Sequence, residues 1–296
     1  MAPQPPAYVP LNPTDPGPAP RAAGMPQQHM TVLVAGASGR TGLPLVRQLL
    51  AAGHRVRAVV RTRASLPPTL LDSPLLSVVE ASVLSLTDEE MCTHVRGCDA
   101  VVSCLGHVLS FRGVFGAPRK LCTDAARRLV EAIERNGPRE GGAPPTKFIL
   151  MNTVGVSNND LDEHRRRPRG DRALLWLLRY LMPPHSDNET AAEFLRAEVG
   201  RRSETVVQWC VVRPDSLHDT DVSTYTVTES PPAPSITAGL PTTRANVAHF
   251  MAQLITSEQL WEEWRFRMPC IADQPPAADT GSSSGATTEA PLTDDT

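Results

Sequence analysis

Gly36, Gly39 and Gly42 stand three residues apart, directly after the apolar run Thr31-Val32-Leu33-Val34-Ala35. Leu43, Val46, Leu49 and Leu50 then recur at helical spacing, so the stretch reads as strand, tight turn and helix. Glycines in such a turn let backbone N–H groups close on a pyrophosphate, and the helix N-terminus supplies partial positive charge for it. That is the chemistry of dinucleotide binding. The next strand, Val56 to Val60, ends at Arg61, where a carboxylate would take the ribose hydroxyls of NAD. A guanidinium there suits the 2′-phosphate of NADP instead. Arg40, inside the loop, and Arg63 are further candidates for the same phosphate. The bland alternative for Arg61 is a solvated arginine at a strand end.

Alternating strands and helices are expected to carry this loop. Leu75 to Glu80 reads as a third strand, and Thr87 to Glu90 opens the next helix with a capping-box pattern. Asp99 to Gly106 is a fourth strand ending in a glycine. Leu121 to Ile133 is a helix with its apolar face on Leu121, Ala125, Leu129 and Ile133. Lys147 to Asn152 is a fifth strand, apolar enough in the middle to be buried on both faces. Ala191 to Val199 reads as a helix and Val206 to Val212 as a sixth strand. The pattern predicts an α/β fold, a doubly wound parallel sheet with helices on both faces. Ligands in such folds collect beyond the carboxyl ends of the strands. Trp261 and Trp264 are expected to close the C-terminal core, and Ala173 to Met182 reads as a packed helix rather than a substrate lid.

Composition bounds the rest. Of 296 residues, 1–29 are crowded with proline and lack an apolar period, and 274–296 shift to Pro, Ala, Thr, Ser, Gly and Asp. Both read as disordered tails around a single domain at 30–273 with a small C-terminal substrate-side region. A net charge of −3 argues against a nucleic-acid partner. The cluster Arg165-Arg166-Arg167-Pro168-Arg169 reads as a solvated loop. The proline-rich start does not resemble a signal peptide, and Ala173 to Met182 is too short to span a bilayer. A cytoplasmic monomer with no membrane partner is expected, its proline-rich tail offering a segment for a protein partner. The six cysteines form no CxxC pair and no metal-ligand pattern with the histidines, so neither a disulfide framework nor a metal site is indicated.

Four stretches in order resemble the atypical short-chain dehydrogenase/reductase superfamily, in its NmrA-like and NAD(P)H-binding branches, which include biliverdin reductase B-like enzymes. They are Gly36-Ala37-Ser38-Gly39-Arg40-Thr41-Gly42, Gly97-Cys98-Asp99-Ala100-Val101-Val102-Ser103-Cys104-Leu105-Gly106, Val211-Val212-Arg213-Pro214-Asp215-Ser216-Leu217 and Thr243-Arg244-Ala245-Asn246-Val247-Ala248. The resemblance covers nearly all of Met30 to Asp273 and implies a Rossmann-like domain. It further implies that Gly36, Ser38, Gly39, Arg40, Thr41 and Gly42 hold the phosphates and that Arg61 takes the 2′-phosphate. Leu105 and Gly106 would line the nicotinamide-side ribose, with Met151, Asn152, Thr153 and Val154 under the nicotinamide. Ala81-Ser82 stands where the family often has Gly-Asp, leaving Ser82 and the Val83 backbone to meet the adenine.

The catalytic set departs from the family. Typical members use a serine together with a tyrosine and a lysine four apart, so that a lysine-lowered phenol moves the substrate proton. Thr153 sits where the serine is expected, and no YxxxK occurs; Lys120 and Lys147 are the two lysines of the chain. Aligning Glu193 with the glutamate of the family's following helix places His185 and Glu189 where Tyr and Lys would lie. A histidine can donate a proton near neutral pH, and a carboxylate can orient it and raise its pKa. The alternative is that His185 to Asn188 only starts the helix, with Asp187 or Asn188 as its N-cap. His107, just after Gly106, either faces the nicotinamide pocket or is a loop histidine without a special role. Three functions follow: an NADP(H)-dependent oxidoreductase acting on a small, fairly apolar carbonyl or unsaturated substrate, an NADP-binding redox sensor or scaffold that turns nothing over, or, last, an epimerase or isomerase that uses the bound nucleotide transiently.

Overall fold

The computed structural model describes residues 9–11, 29–107, 118–202, 204–231, 239 and 241–274. Its eleven described strands are β1 (Val9–Leu11), β2 (Thr31–Ala35), β3 (Arg55–Val60), β4 (Leu76–Glu80), β5 (Ala100–Ser103), β6 (Thr146–Met151), β7 (Val207–Pro214), β8 (Ser216–His218), β9 (Tyr225–Thr228), β10 (Pro241–Thr243) and β11 (Cys270–Asp273). Nine of them form one sheet in the order β1-β9-β11-β7-β6-β5-β2-β3-β4, and β8 pairs with β10 apart from it. From β4 across to β11 every pairing is parallel, while β9 runs antiparallel to both β11 and β1.

Strand order reverses beside β2. The chain steps outward from β2 to β3 and β4, then returns to build β5, β6 and β7 on the other side. The crevice at such a reversal is where doubly wound sheets take their ligands. The central strands are buried on both faces, as their continuous Val, Ile, Leu and Ala runs require; β5 and β7 are buried throughout.

Two apolar layers flank the sheet. On one face Leu33, Val101, Phe148 and Val211 pack with Met91, Leu129 and Ile133 from the helices Asp88–Val95 and Leu121–Asn136, and with Ala191 and Leu195. On the other, Val32, Val34, Ile149 and Val212 pack with Leu45 and Leu49 of the helix Gly42–Ala51 and with Phe250 and Leu254 of the helix Arg244–Thr256. Trp261 and Trp264, 1% and 3% exposed, close this second layer as expected. Among the described residues no helix is long and apolar enough to cross a membrane.

Four expectations change. The cluster at 165–169 is not one solvated loop: Arg165 and Arg166 end the helix Glu163–Arg166, and Arg167, 6% exposed, donates through Nη2 to the Val154 carbonyl at 2.6 Å. Within the segment read as a proline-rich tail, Val9–Leu11 adds an edge strand to β9, because backbone pairing at a sheet edge needs no apolar period. The helix read over Ala191 to Val199 begins at Pro183, the early start that placing His185 and Glu189 on one face requires; two prolines in its first turn fix the backbone there without losing a needed N–H. It runs to Glu193 and continues as a wider π-helical turn over Phe194–Val199. Asp187 and Asn188 therefore lie inside that helix and neither is its N-cap. Finally, the Arg169–Leu181 helix packs only part of its surface, leaving Trp176 62% exposed.

Candidate active site

The turn after β2 is built by contacts that only hydrogen at Cα permits. Gly36 adopts φ +77°, and a Cβ there would come within 2.9 Å of the Cys104 carbonyl oxygen. A Cβ on Gly42 would lie 2.2 Å from the Gly36 carbonyl oxygen, so the helix start sits directly on the strand end. Gly39 N–H donates to Gly36 C=O and Leu43 N–H to Gly39 C=O, both at 2.9 Å.

The helix Gly42–Ala51 then opens without help. Thr41, its N-cap, makes no side-chain capping bond, and no acidic residue stands in its first turn. Other helices of the domain carry side-chain caps, whereas Pro183–Glu193, like Gly42–Ala51, has neither a side-chain cap nor an acid in its first turn. Thr87 and Glu90 form a reciprocal capping box on Asp88–Val95, and Thr243 accepts from Asn246 N–H at 2.8 Å on Arg244–Thr256. The first N–H groups of a helix have no intrahelical acceptor, and its dipole favours an anion. An uncapped start under a glycine turn is thus fitted to a phosphate pair, and the residues fit the dinucleotide expected there.

Strand register sets the remaining candidates in a row. Val59 lies opposite Ala35 across β3 and β2, so Arg61 falls just beyond the glycine turn on its β3 side, where it is exposed. Ala35 pairs with Ser103, which brings Leu105 and Gly106 to the turn's other side. Ser103 pairs with Leu150, placing Met151, Asn152 and Thr153 one strand further along. Ser82 and Val83 follow β4 at the opposite end of the row. Val83 is buried, and its carbonyl accepts from Arg128 Nη1 at 2.8 Å, while Ser82 Oγ accepts from Leu84 N–H at 3.3 Å. The candidates thus follow one another in the strand order β4, β3, β2, β5, β6.

Arg40 lies exposed in the turn and pairs with Asp219, which also accepts from Arg244 Nη1 at 2.8 Å. The Arg40 guanidinium, with Arg244 beside it, holds the Asp219 carboxyl below its ordinary range. Sequence spacing gave no sign of this partner, which is 179 residues away.

Beyond β6, Thr153 and His185 both lie against Gly155. A Cβ on Gly155 would lie 3.5 Å from His185 Cε1 and 3.7 Å from Thr153 Cγ2. His185 and Glu189 share one helical face, their Nε2 and Oε1 3.6 Å apart. Asn152 is committed to backbone: its Nδ2 donates to the Asn188 carbonyl and its Oδ1 accepts from Thr153 N–H, both at 2.9 Å. It fixes the strand end against the helix that carries His185.

Asp187 plays a part that its sequence neighbourhood hides. Its carboxylate accepts from the Cys122 and Thr123 N–H groups at 2.7 and 3.0 Å and from Thr123 Oγ1 at 2.6 Å, capping the helix Leu121–Asn136 from outside. His107 Nε2 lies 2.8 Å from the same carboxylate. His107 is thereby held beside Leu105 and Gly106. The Cys122 thiol, pushed up by burial and by Asp187, donates to the Leu105 carbonyl at 3.5 Å.

The family profile described as NAD(P)H-binding matches residues 36–258. An uncharacterised chloroplastic protein of Arabidopsis thaliana is 33% identical over 128 residues, which span 43% of this chain and 42% of that protein, less than half of either. Among solved structures, the oxidoreductase ylbE of Lactococcus lactis superposes with a TM-score of 0.56 at 18% identity, over 83% of this chain and 91% of that one. ChuY, an anaerobillin reductase of Escherichia coli, gives a TM-score of 0.57 at 17% identity, over 83% of this chain and all of that one (100%). At those identities the structures share the fold, a Rossmann-like α/β domain. With the glycine turn, the uncapped helix and the profile match over three-quarters of its length, the chain belongs to the NAD(P)H-binding family of atypical short-chain dehydrogenase/reductases.

Proposed function

We propose that this protein is an NADP(H)-dependent oxidoreductase acting on a small, fairly apolar carbonyl or unsaturated compound. One observation carries the cofactor assignment: the uncapped helix start at Gly42 beneath the glycine turn, with Arg61 at the end of the neighbouring strand. Gly36 to Gly42 would hold the pyrophosphate and Arg61 the 2′-phosphate, with Ser82 and Val83 at the adenine. Leu105, Gly106 and Met151 would face the nicotinamide half, with Asn152 holding the end of their strand in place. When bound, the nicotinamide supplies or accepts the hydride.

The chain's own contribution is orientation, exclusion of water and a proton. His185 is the proton donor in this reading, packed over Gly155, with Glu189 on the same helical face to orient it. Thr153, whose Oγ1 accepts from Gly155 N–H at 3.2 Å, takes the place of the family's serine and can hold a substrate oxygen. A protonated imidazole delivering to the substrate oxygen or carbon balances the hydride arriving at the other end of the reducible bond.

A second reading, a cofactor-binding sensor or scaffold, draws on the missing tyrosine and lysine. Tyr225 is buried and its hydroxyl is 2.8 Å from His249 Nδ1, on the far layer of the sheet. Lys147 donates to the carbonyls of Leu254 and Ile255, and burial lowers its pKa. Neither can serve at the nicotinamide end. NADPH oxidation measured with a panel of quinone, aldehyde and enone acceptors separates the readings. Acceptor-dependent turnover supports the oxidoreductase; cofactor binding with no turnover on any acceptor supports the sensor.

A further inference from the structure

Leu174, Trp176 and Leu177 are the large apolar side chains left exposed among the described residues, at 40, 62 and 44%. All three lie on the helix Arg169–Leu181. At 100° per residue Ala173, Trp176 and Leu177 share one side, flanked by Leu174, while Asp171 and Leu175 lie on the buried side. The helix rests against the Pro183–Glu193 helix.

Beside the exposed side runs a cleft of about 440 Å³, lined by His164, Arg169, Arg172, Ala173 and Trp176. Arg169, Arg172 and Trp176 recur at i, i+3 and i+7, placing both guanidinium groups along one edge of the tryptophan. Arg165 and Arg166 lie on the short helix Glu163–Arg166 that precedes the Arg169–Leu181 helix, Arg165 paired with the exposed Asp162 at 3.7 Å. The chain as a whole carries a net charge of −3, so this concentration of arginine is local.

We propose that the exposed face of the Arg169–Leu181 helix, with its arginine-lined cleft, docks the protein on an anionic lipid surface. An apolar strip edged by arginines is what an interfacial helix needs: side chains that enter the acyl boundary and cations that meet lipid phosphates. The helix is thirteen residues long and lies on the surface, so the attachment is peripheral and reversible. It does not depend on the reaction proposed above.

The chain carries its own reporter. Trp209, Trp261 and Trp264 are buried, at 3, 1 and 3% exposure, which leaves Trp176 as the tryptophan that can change environment on docking. The experiment is co-sedimentation of the full chain with phosphatidylcholine vesicles, with and without phosphatidylserine, read together with tryptophan emission. We expect binding and a blue shift with phosphatidylserine vesicles alone, weakening as salt rises. The double variant Arg169→Ala/Arg172→Ala should bind about 30-fold more weakly, at roughly 1 kcal/mol for each arginine near the surface. Trp176→Ala should bind more weakly as well, and unchanged far-UV circular dichroism will show that both variants fold. Absence of binding overturns the proposal, as does equal binding to neutral vesicles or binding that survives both variants. A concentration-dependent blue shift without vesicles would also overturn it, by showing that a second copy covers this face.

Discussion

His185 and Thr153 meet over Gly155 although 32 positions separate them in sequence, and their meeting depends on where one helix begins. With the start at Pro183, His185 lies in the first turn and Glu189 one turn later on the same face. If His185 supplies the proton, its removal changes chemistry and leaves cofactor binding intact. We expect His185→Phe to lower turnover about 100-fold, the lower end of what a positioned acid contributes, with NADPH affinity unchanged. Unchanged turnover would remove this side chain from the mechanism. The glycine turn was legible because each of its glycines answers a local need. The partner of Arg40 was not, because Asp219 reaches the turn only through the fold.

At the scale of elements, β2 to β7 follow from periodicity, since the central strands are continuous apolar runs bounded by polar turns, while the short strands β1, β8, β9, β10 and β11 carried no such signal. The boundary that periodicity misplaced is the start of the Pro183–Glu193 helix. Its first turn, Pro-Pro-His-Ser, has no apolar stripe, and the short polar side chains after it read as a cap. Asp187 is in fact a cap, but for a different helix. This tie joins the Leu121–Asn136 helix to the one carrying His185, with His107 on the same carboxylate. Replacing Asp187 by Ala strips two buried amides and a hydroxyl of their acceptor. We expect a loss of about 3 kcal/mol in denaturant unfolding. A change below about 0.5 kcal/mol, the range of ordinary surface substitutions, would show that the cap carries no weight.

Across the whole molecule, a buried ion pair joins the layer ends behind the site. Arg213, fully buried, donates through Nη1 and Nη2 to Glu163 at 2.7 and 2.9 Å and also to the carbonyls of Met268 and Val156. Burial pushes the Glu163 carboxyl up, but the Arg213 guanidinium outweighs it and leaves the group below its usual 4.5. A carboxyl depressed in this way adds stability above its unfolded pKa, and that contribution disappears as pH falls through the folded value. Glu163→Gln should therefore cost about 3 kcal/mol near neutral pH, with the difference from wild type narrowing in acid below the usual carboxylate range. A difference independent of pH would contradict the assignment. Composition spoke for the sheet and its apolar layers, but it could not show an arginine edge beside an exposed tryptophan, which exists only once the helix is folded and placed.

The central claim concerns the cofactor, and calorimetric titration with NADPH, NADH and their oxidised forms tests it most directly, on the native protein and on Arg61→Ala. We expect NADPH to bind more tightly than NADH, and the substitution to weaken NADPH at least about tenfold, as loss of one charge-assisted contact of 1.5–3 kcal/mol requires, while leaving NADH unchanged. Failure of all four nucleotides to bind would contradict the reading of Gly36 to Gly42 as a phosphate cradle. Equal losses for NADPH and NADH would take the 2′-phosphate away from Arg61.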